Sequence, residues 1–190
     1  MSTAVRKPMT VAEFLAWEER QELRYEFDGV GPRAMTGGTV RHDRITFNLH
    51  RALDARLGGC PCRSYGPNVK ILAGGNVRYP DAVMTCSALS ENATVVDDPV
   101  VVFEIVSSGN ARIDRIVKVR EYQAAPSIRR YVIVEQESIG ATVFERRGDL
   151  WGGFALTEGD TLQLPEVGIE LPLAECYTGL DLASLPDEPV

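Results

Sequence analysis

The chain reads as a single mixed α+β domain, a twisted mixed β-sheet flanked by helices, on three observations. Its 190 residues and 44% apolar content are enough for one sizeable core and ordinary for a globular protein. An amphipathic helical pattern over residues 41–57 stands beside short runs rich in β-branched residues, above all Val100-Val101-Val102-Phe103-Glu104-Ile105-Val106,. Helical and strand patterns follow one another with no internal repeat and no interdomain linker. Residues 1–9 read as a loose tail, 10–165 as the folded domain and 166–190 as a C-terminal surface segment.

Taken in order, Thr10-Val11-Ala12-Glu13 is a capping box, in which the Thr10 hydroxyl and the Glu13 carboxylate each accept from the other's backbone amide,. Met9 and Phe14 fall at the positions of a hydrophobic staple,. Helical composition resumes over 20–26, and Asp28-Gly29 is its stop,. Residues 30–35 read as a strand whose Pro32 suits an edge,. In the helix over 41–57, Ile45, Leu49, Leu53 and Leu57 recur at every fourth position, and Gly58-Gly59 ends it,. Tyr65 and residues 69–72 are strand-like, and the Gly74-Gly75-Asn76 turn leads into a return strand over 78–85,. The run over 100–106 is apolar apart from Glu104, as expected of a central strand covered on both faces,. A helix over about 111–124 follows, stopped by Pro126, with Asp114, Val117, Lys118 and Glu121 spaced to share one face,. Residues 130–135, 141–147, 150–156 and 161–164 then read as an antiparallel ladder, with a short helix at 173–177 in the tail,.

Composition narrows the function. A net charge of −7 argues against a high-affinity non-specific nucleic-acid binder, whose affinity comes from basic groups on phosphates. It leaves room for an enzyme that meets phosphate through bound Mg²⁺ and a local basic patch. Arg41, Arg44, Arg51, Arg56, Arg63, Arg112, Arg115 and Arg120 either form such a patch or are spread around the fold. No apolar run reaches the roughly 18 residues of a membrane span, and the N-terminus lacks a signal-peptide core. Cys60, Cys62, Cys86 and Cys176 show no disulfide-framework spacing. A reduced, cytoplasmic protein is therefore expected. Cys60-Pro61-Cys62 has no second pair at zinc-finger spacing, so buried thiols flanking a turn are expected there rather than zinc.

Asp81 and Glu104 each place a carboxylate in a strand that would otherwise take an apolar side chain. Such a charge costs several kcal/mol unless it is paired or holds a metal. Two acids on neighbouring strands suit Mg²⁺ (or Mn²⁺), which accepts one or two carboxylates and keeps several waters, and the backbone carbonyl of Ile105 could be a third oxygen. Lys118 would then stabilise the charge that develops when a phosphodiester is hydrolysed. An ion pair of Lys118 with Asp81 or Glu104, tying a helix to the sheet, accounts for the same residues. His42 at the start of its helix either donates to a site or is structural. Glu26, between Tyr25 and Phe27, is a site residue or the solvated side of a helix. Asp114 is a further candidate for a supporting role.

The chain resembles the Uma-type restriction endonucleases, a branch of the PD-(D/E)xK nuclease superfamily, over about residues 10–151. The likeness rests on Arg24-Tyr25-Glu26-Phe27-Asp28-Gly29, His42 leading the amphipathic helix, Tyr79-Pro80-Asp81, Val102-Phe103-Glu104-Ile105-Val106-Ser107, and Asp114-Arg115 with Lys118 and Tyr122. The resemblance implies a restriction-endonuclease-like fold and a Mg²⁺-dependent endonuclease acting on nucleic acid, with DNA as its expected substrate. Asp81 and Glu104 would hold the metal, and Glu26 would add to the site. The wider superfamily carries its lysine two residues after the second acid, where this chain has Val106; the family pattern moves it to the following helix, where Lys118 stands. This chain has Ser107-Ser108-Gly109-Asn110 where the family commonly has a proline-containing turn. A homodimer would suit the cutting of both strands. A catalytically inactive member that binds nucleic acid or protein, and an assembly protein dimerising through its C-terminal strands, are the competing readings.

Overall fold

The computed structural model describes residues 9–106 and 113–182, apart from the side chains of residues 113 and 114. Helix α1 (Val11–Glu18) opens on the expected capping box: the Thr10 amide donates to the Glu13 carboxylate at 2.7 Å and the Glu13 amide to the Thr10 hydroxyl at 3.2 Å. The helical structure expected over 20–26 does not form. Tyr25–Phe27 is strand β1, paired antiparallel with β2 (Pro32–Ala34). The reason is the alternation about Glu26: Phe27 turns inward onto Phe14, ring centroids 5.1 Å apart, and with Val77 forms a small core of its own.

Helix α2 (Val40–Arg56) is capped by the Thr39 hydroxyl, which accepts from the His42 amide at 3.1 Å. Ile45, Leu49, Leu53 and Leu57 are buried, as their spacing predicts. After β3 (Arg63–Tyr65), strands β4 (Ile71–Ala73) and β5 (Asn76–Arg78) form a tight hairpin. Both of its central residues, Gly74 and Gly75, have positive φ (58° and 81°), the conformation that matches strand twist and that glycine adopts without strain. The expected return strand over 78–85 is instead two strands in different sheets. β5 belongs to a four-stranded sheet of order β2-β1-β5-β4, and β6 (Ala82–Thr85) to the main sheet. Pro80, with no amide to donate, sits in the crossing between them,.

The main sheet has six strands in the order β10-β9-β8-β7-β6-β3, with β7 (Val101–Val106), β8 (Arg130–Glu135), β9 (Gly140–Arg147) and β10 (Leu150–Thr157). β7 is antiparallel to β6 and parallel to β8, and all of its residues are buried, as the apolar run predicts. The crossover between β7 and β8 contains a π-helical segment, Ile113–Lys118, that runs into α3 (Val119–Ala124). Here the face expected from α-helical spacing is not kept: Lys118 and Glu121 are buried, but Val117 is 42% exposed. The wider π turn shifts the register by which side chains stack.

β11 (Thr161–Leu164) does not extend the ladder; it pairs with β12 (Ile169–Pro172) as a separate two-stranded unit, followed by a 3₁₀ turn, Leu173–Tyr177. Nor is this C-terminal segment surface packing. Ile169, Leu171, Leu173, Cys176 and Tyr177 enter the largest core cluster together with α2 and the main sheet. The thiols also depart from expectation. β3 pairs with β6 so that Arg63 faces Thr85, which brings Cys62 opposite Cys86, and the two form a disulfide. Cys60 and Cys176 are free thiols. With Cys62 oxidised, Cys60-Pro61-Cys62 is not a pair of buried free thiols. The whole is a mixed α+β domain with twisted mixed sheets and few helices.

Candidate active site

The β6–β7 register aligns Ala82 with Phe103. One step further along, it sets Asp81 across from Glu104. The Asp81 carboxylate accepts from the Ile105 amide at 2.7 Å, and His42 Nε2 lies 3.1 Å from its other oxygen. Two turns further along α2, His50 Nε2 is 2.9 Å from the Asp81 carbonyl. One helix thus holds both the side chain and the backbone of Asp81. The residue two positions earlier is anchored as well: the buried Tyr79 hydroxyl donates to Glu18 at 2.5 Å, and Lys70 forms an ion pair with the same carboxylate. Burial and the adjacent Glu18 charge push the Tyr79 phenol well above its ordinary range, so it stays a donor,.

Glu104 is 5% exposed. Lys118 Nζ and the Tyr122 hydroxyl both donate to its Oε1, each at 2.8 Å. Lys118 and Tyr122 stand four residues apart and reach the same oxygen from the crossover segment. Burial, and the Glu104 charge beside it, raise the Tyr122 phenol well above its usual value, which keeps this hydrogen bond charge-assisted,. Lys118 Nζ is also 3.7 Å from Glu26 on β1. Glu26 accepts from Arg78 at 3.0 Å and from the Tyr79 amide at 3.2 Å. Arg78, 2% exposed, forks onto Glu121 at 2.7 and 2.6 Å. Its burial works against the charge, but Glu121 and Glu26 outweigh that and raise its affinity for the proton.

These side chains border one open cavity of about 410 Å³, lined among others by Glu26, His42, Asp81, Glu104, Ile105 and Lys118. The loop between β2 and α2 forms a wall, fastened where the Thr39 hydroxyl donates to Gln136 at 2.7 Å. The structure therefore brings together Asp81, Glu104, Lys118, Glu26 and His42. Glu26 does so from a strand, not from the helix the sequence suggested. The side chain of Asp114 and the turn 107–110 lie outside the described residues. Of the two ion pairs open to Lys118 on sequence grounds, the one with Glu104 is formed. Arg78, Glu121 and Gln136 are additions that sequence reasoning missed. Tyr122 was legible as the residue one turn beyond Lys118, but nothing in the Asn76-Val77-Arg78 stretch distinguishes Arg78 from a surface arginine.

The donor set bears on which cation would fit. Among the described residues, no three His, Cys, Asp or Glu side chains cluster as a ready-made metal cage. The Glu104 carboxylate on β7 and the Asp81 carboxylate, which lies just before β6 and not within a strand as the sequence suggested, are with a backbone carbonyl the hard, oxygen-only and incomplete set that Mg²⁺ accepts, with waters completing its shell,. Zinc at Cys60-Pro61-Cys62 does not fit, because Cys62 is in the disulfide. Three of the arginines named as patch candidates are engaged within the fold. Arg56 is held by Glu175, Arg63 by the carbonyls of Cys60 and Cys62, and Arg115 by Glu135 and Thr142. Arg112 lies outside the described residues.

A family model described as "Uma2: Putative restriction endonuclease" matches residues 11–174. The chain belongs to the Uma2 family. It is 28% identical over 172 residues to the uncharacterized protein slr1290 of Synechocystis sp., covering 88% of this chain and 90% of that one. It is 25% identical over 154 residues to a second uncharacterized Synechocystis protein, sll1609, covering 78% and 87%. Its fold is similar to a crystal structure titled as a putative nuclease belonging to DUF820, from Anabaena variabilis. That match has a TM-score of 0.72 at 14% identity and covers 90% of this chain and 98% of the other. At the level of the Uma2 family and the fold, the chain is restriction-endonuclease-like. Among the described residues, no helix is long and apolar enough to cross a membrane.

Proposed function

We propose that this Uma2 protein is a Mg²⁺-dependent endonuclease that hydrolyses phosphodiester bonds of DNA. The observation that carries the reading is the convergence of Asp81, Glu104 and Lys118 on one cavity, from the approach to β6, from β7 and from the crossover between β7 and β8. Asp81, Glu104 and the Ile105 carbonyl are the residues that would hold the cation, with Mn²⁺ as a substitute. A bound divalent ion supplies a Lewis acid for the phosphoryl oxygens and lowers the pKa of a bound water.

The chain's own residues do the rest. The Ile105 amide and His42 fix the Asp81 carboxylate, so that it needs no reorganisation to act,. Tyr122 fixes Glu104 in the same way. Lys118, held at the cavity by Glu104 and Glu26, carries the positive charge that would face a phosphate oxygen as negative charge builds there. Arg78 is a positioning residue that holds Glu26. Cutting both strands of a duplex would call for two such sites, as a homodimer provides.

Nicking of supercoiled plasmid tests the reading directly. Wild-type protein should nick in Mg²⁺ or Mn²⁺, and Asp81→Ala, Glu104→Ala and Lys118→Ala should lose nicking while circular dichroism shows them folded. Failure of the wild-type protein to cut DNA in either metal would overturn it.

A further inference from the structure

Arg33 on β2 is the one arginine among the described residues that border the cavity. The β1–β2 register sets it directly opposite Glu26, and opposed residues of an antiparallel pair carry their side chains on the same face. Both therefore turn toward the cavity from one small sheet. The simplest role for such an arginine is to neutralise the acid across from it. Glu26, however, has other partners: Arg78 at 3.0 Å, the Tyr79 amide at 3.2 Å and Lys118 at 3.7 Å.

Arg33 leans instead on Asp28. Its Nε donates to Asp28 Oδ2 at 2.5 Å, while Asp28 Oδ1 accepts the amides of Val30 and Gly31 at 3.1 and 3.0 Å. The turn is already held through Oδ1, so the contact with Arg33 is not needed to form it. A carboxylate shared among these donors leaves the far edge of the guanidinium positive. Arginine carries five N–H groups, and Nε supplies only one of them. The others, on the two terminal nitrogens, have no hydrogen-bond acceptor among the described residues. With its side chain 66% exposed, Arg33 presents that edge at the mouth of the cavity.

The charge balance inside shows what the edge could meet. Glu26, Asp81 and Glu104 bring carboxylates to the cavity. Lys118 is held by two of them, and His42 lies against the third. A polyanion approaching this acidic opening needs a cation at the mouth as well as one between the acids. The terminal N–H groups of a guanidinium match the oxygens of a phosphate in a two-point contact.

We infer, on the nuclease reading of the cavity, that Arg33 binds the backbone phosphate next to the one being cut. The site would then take a continuous DNA strand rather than an isolated phosphodiester, with Arg33 setting where the strand enters.

Anisotropy of a fluorescein-labelled DNA duplex tests this on the full chain, with Ca²⁺ in place of Mg²⁺ so that binding is read without cutting. Losing one phosphate contact lowers the slope of log affinity against log salt by about 0.9, which at about 0.1 M salt weakens binding about eightfold. Arg33→Ala should show both changes, and Arg33→Lys, which keeps a charge there, should recover part of the affinity. Arg147 is similarly exposed at 71%, is also held by a carboxylate, and lies apart from the cavity; Arg147→Ala should bind as the wild-type protein does. Arg33→Gln can still donate to Asp28 and takes the place of Arg33→Ala should that variant not fold. Unchanged affinity and slope in Arg33→Ala, an equal loss in Arg147→Ala, or no DNA binding by the wild-type protein would overturn the inference. A wild-type protein that binds DNA through Arg33 yet nicks nothing would sink the nuclease reading and leave this contact standing. Nicking by a protein whose DNA binding ignores Arg33 would do the reverse.

Discussion

The Asp81 carboxylate accepts the Ile105 amide at 2.7 Å, so the residue following Glu104 holds the acid on the opposing strand. An edge carboxylate is thereby fixed beside a buried one. Asp81 stands just before the start of β6 (Ala82–Thr85) and uses a backbone donor that would otherwise continue the ladder. Its other oxygen is left toward His42 and the cavity.

Arg78 is the most demanding buried charge near the site. Removing its guanidinium strands Glu121 and Glu26, and breaking a buried pair in this way typically costs about 3–5 kcal/mol. Arg78→Met should therefore lower unfolding stability by about that amount in urea denaturation. Adding Glu121→Gln should recover a substantial part, because one of the stranded charges is gone.

Tyr122→Phe keeps the ring and deletes only the donor to Glu104. Hydrogen bonds to charged groups contribute about 1.5–3 kcal/mol, so a stability loss in that range is expected from thermal or urea unfolding. Nicking should fall as well, since Glu104 keeps Lys118 but loses its second anchor. Unchanged stability would mean that water replaces the hydroxyl at no cost.

The Cys62–Cys86 disulfide spans 24 residues of sequence. A loop of that size stabilises by about 3 kcal/mol through restriction of the unfolded chain. Reduction, or a paired Cys62→Ser and Cys86→Ser change, should lower stability by roughly that amount. Mass spectrometry of the alkylated protein should find two blocked thiols before reduction and none after.

Burial pushes the Cys176 thiol up to about 12 from an ordinary 9.0. The folded protein then holds this proton more tightly than the unfolded chain does. The associated stability is complete below pH 9 and is lost as pH rises from there toward 12,. At mildly alkaline pH, iodoacetamide should modify the half-exposed Cys60 and leave Cys176 untouched until the protein unfolds. Rapid labelling of Cys176 in native protein would contradict its placement in the core.

Much of this was legible in the sequence because chemistry stood out against pattern. Glu104 interrupts an apolar run and Asp81 follows a proline, so both marked themselves as acids in strand surroundings, and Lys118 came with its helix. Features that depend on tertiary register were not legible. A strand as short as Tyr25–Phe27 has too few residues to show a period, and its alternation was read as part of a helix. The split between β5 and β6 depends on which sheet each half joins, which no local preference encodes. The Cys62–Cys86 pairing follows from the β3–β6 register alone. Arg78 is buried only because Glu121 and Glu26 arrive from remote elements. The C-terminal segment alternates weakly, and it reads as a surface tail until α2 supplies the core that it covers.

A cation held between Asp81 and Glu104 is the centre of the proposed chemistry, and the most direct measurement is anomalous diffraction from a crystal soaked in Mn²⁺. One anomalous peak is expected within coordination distance of both carboxylates and of the Ile105 carbonyl, lost in Asp81→Ala crystals. No peak there at saturating Mn²⁺, with Lys118 still seated on Glu104, would contradict it.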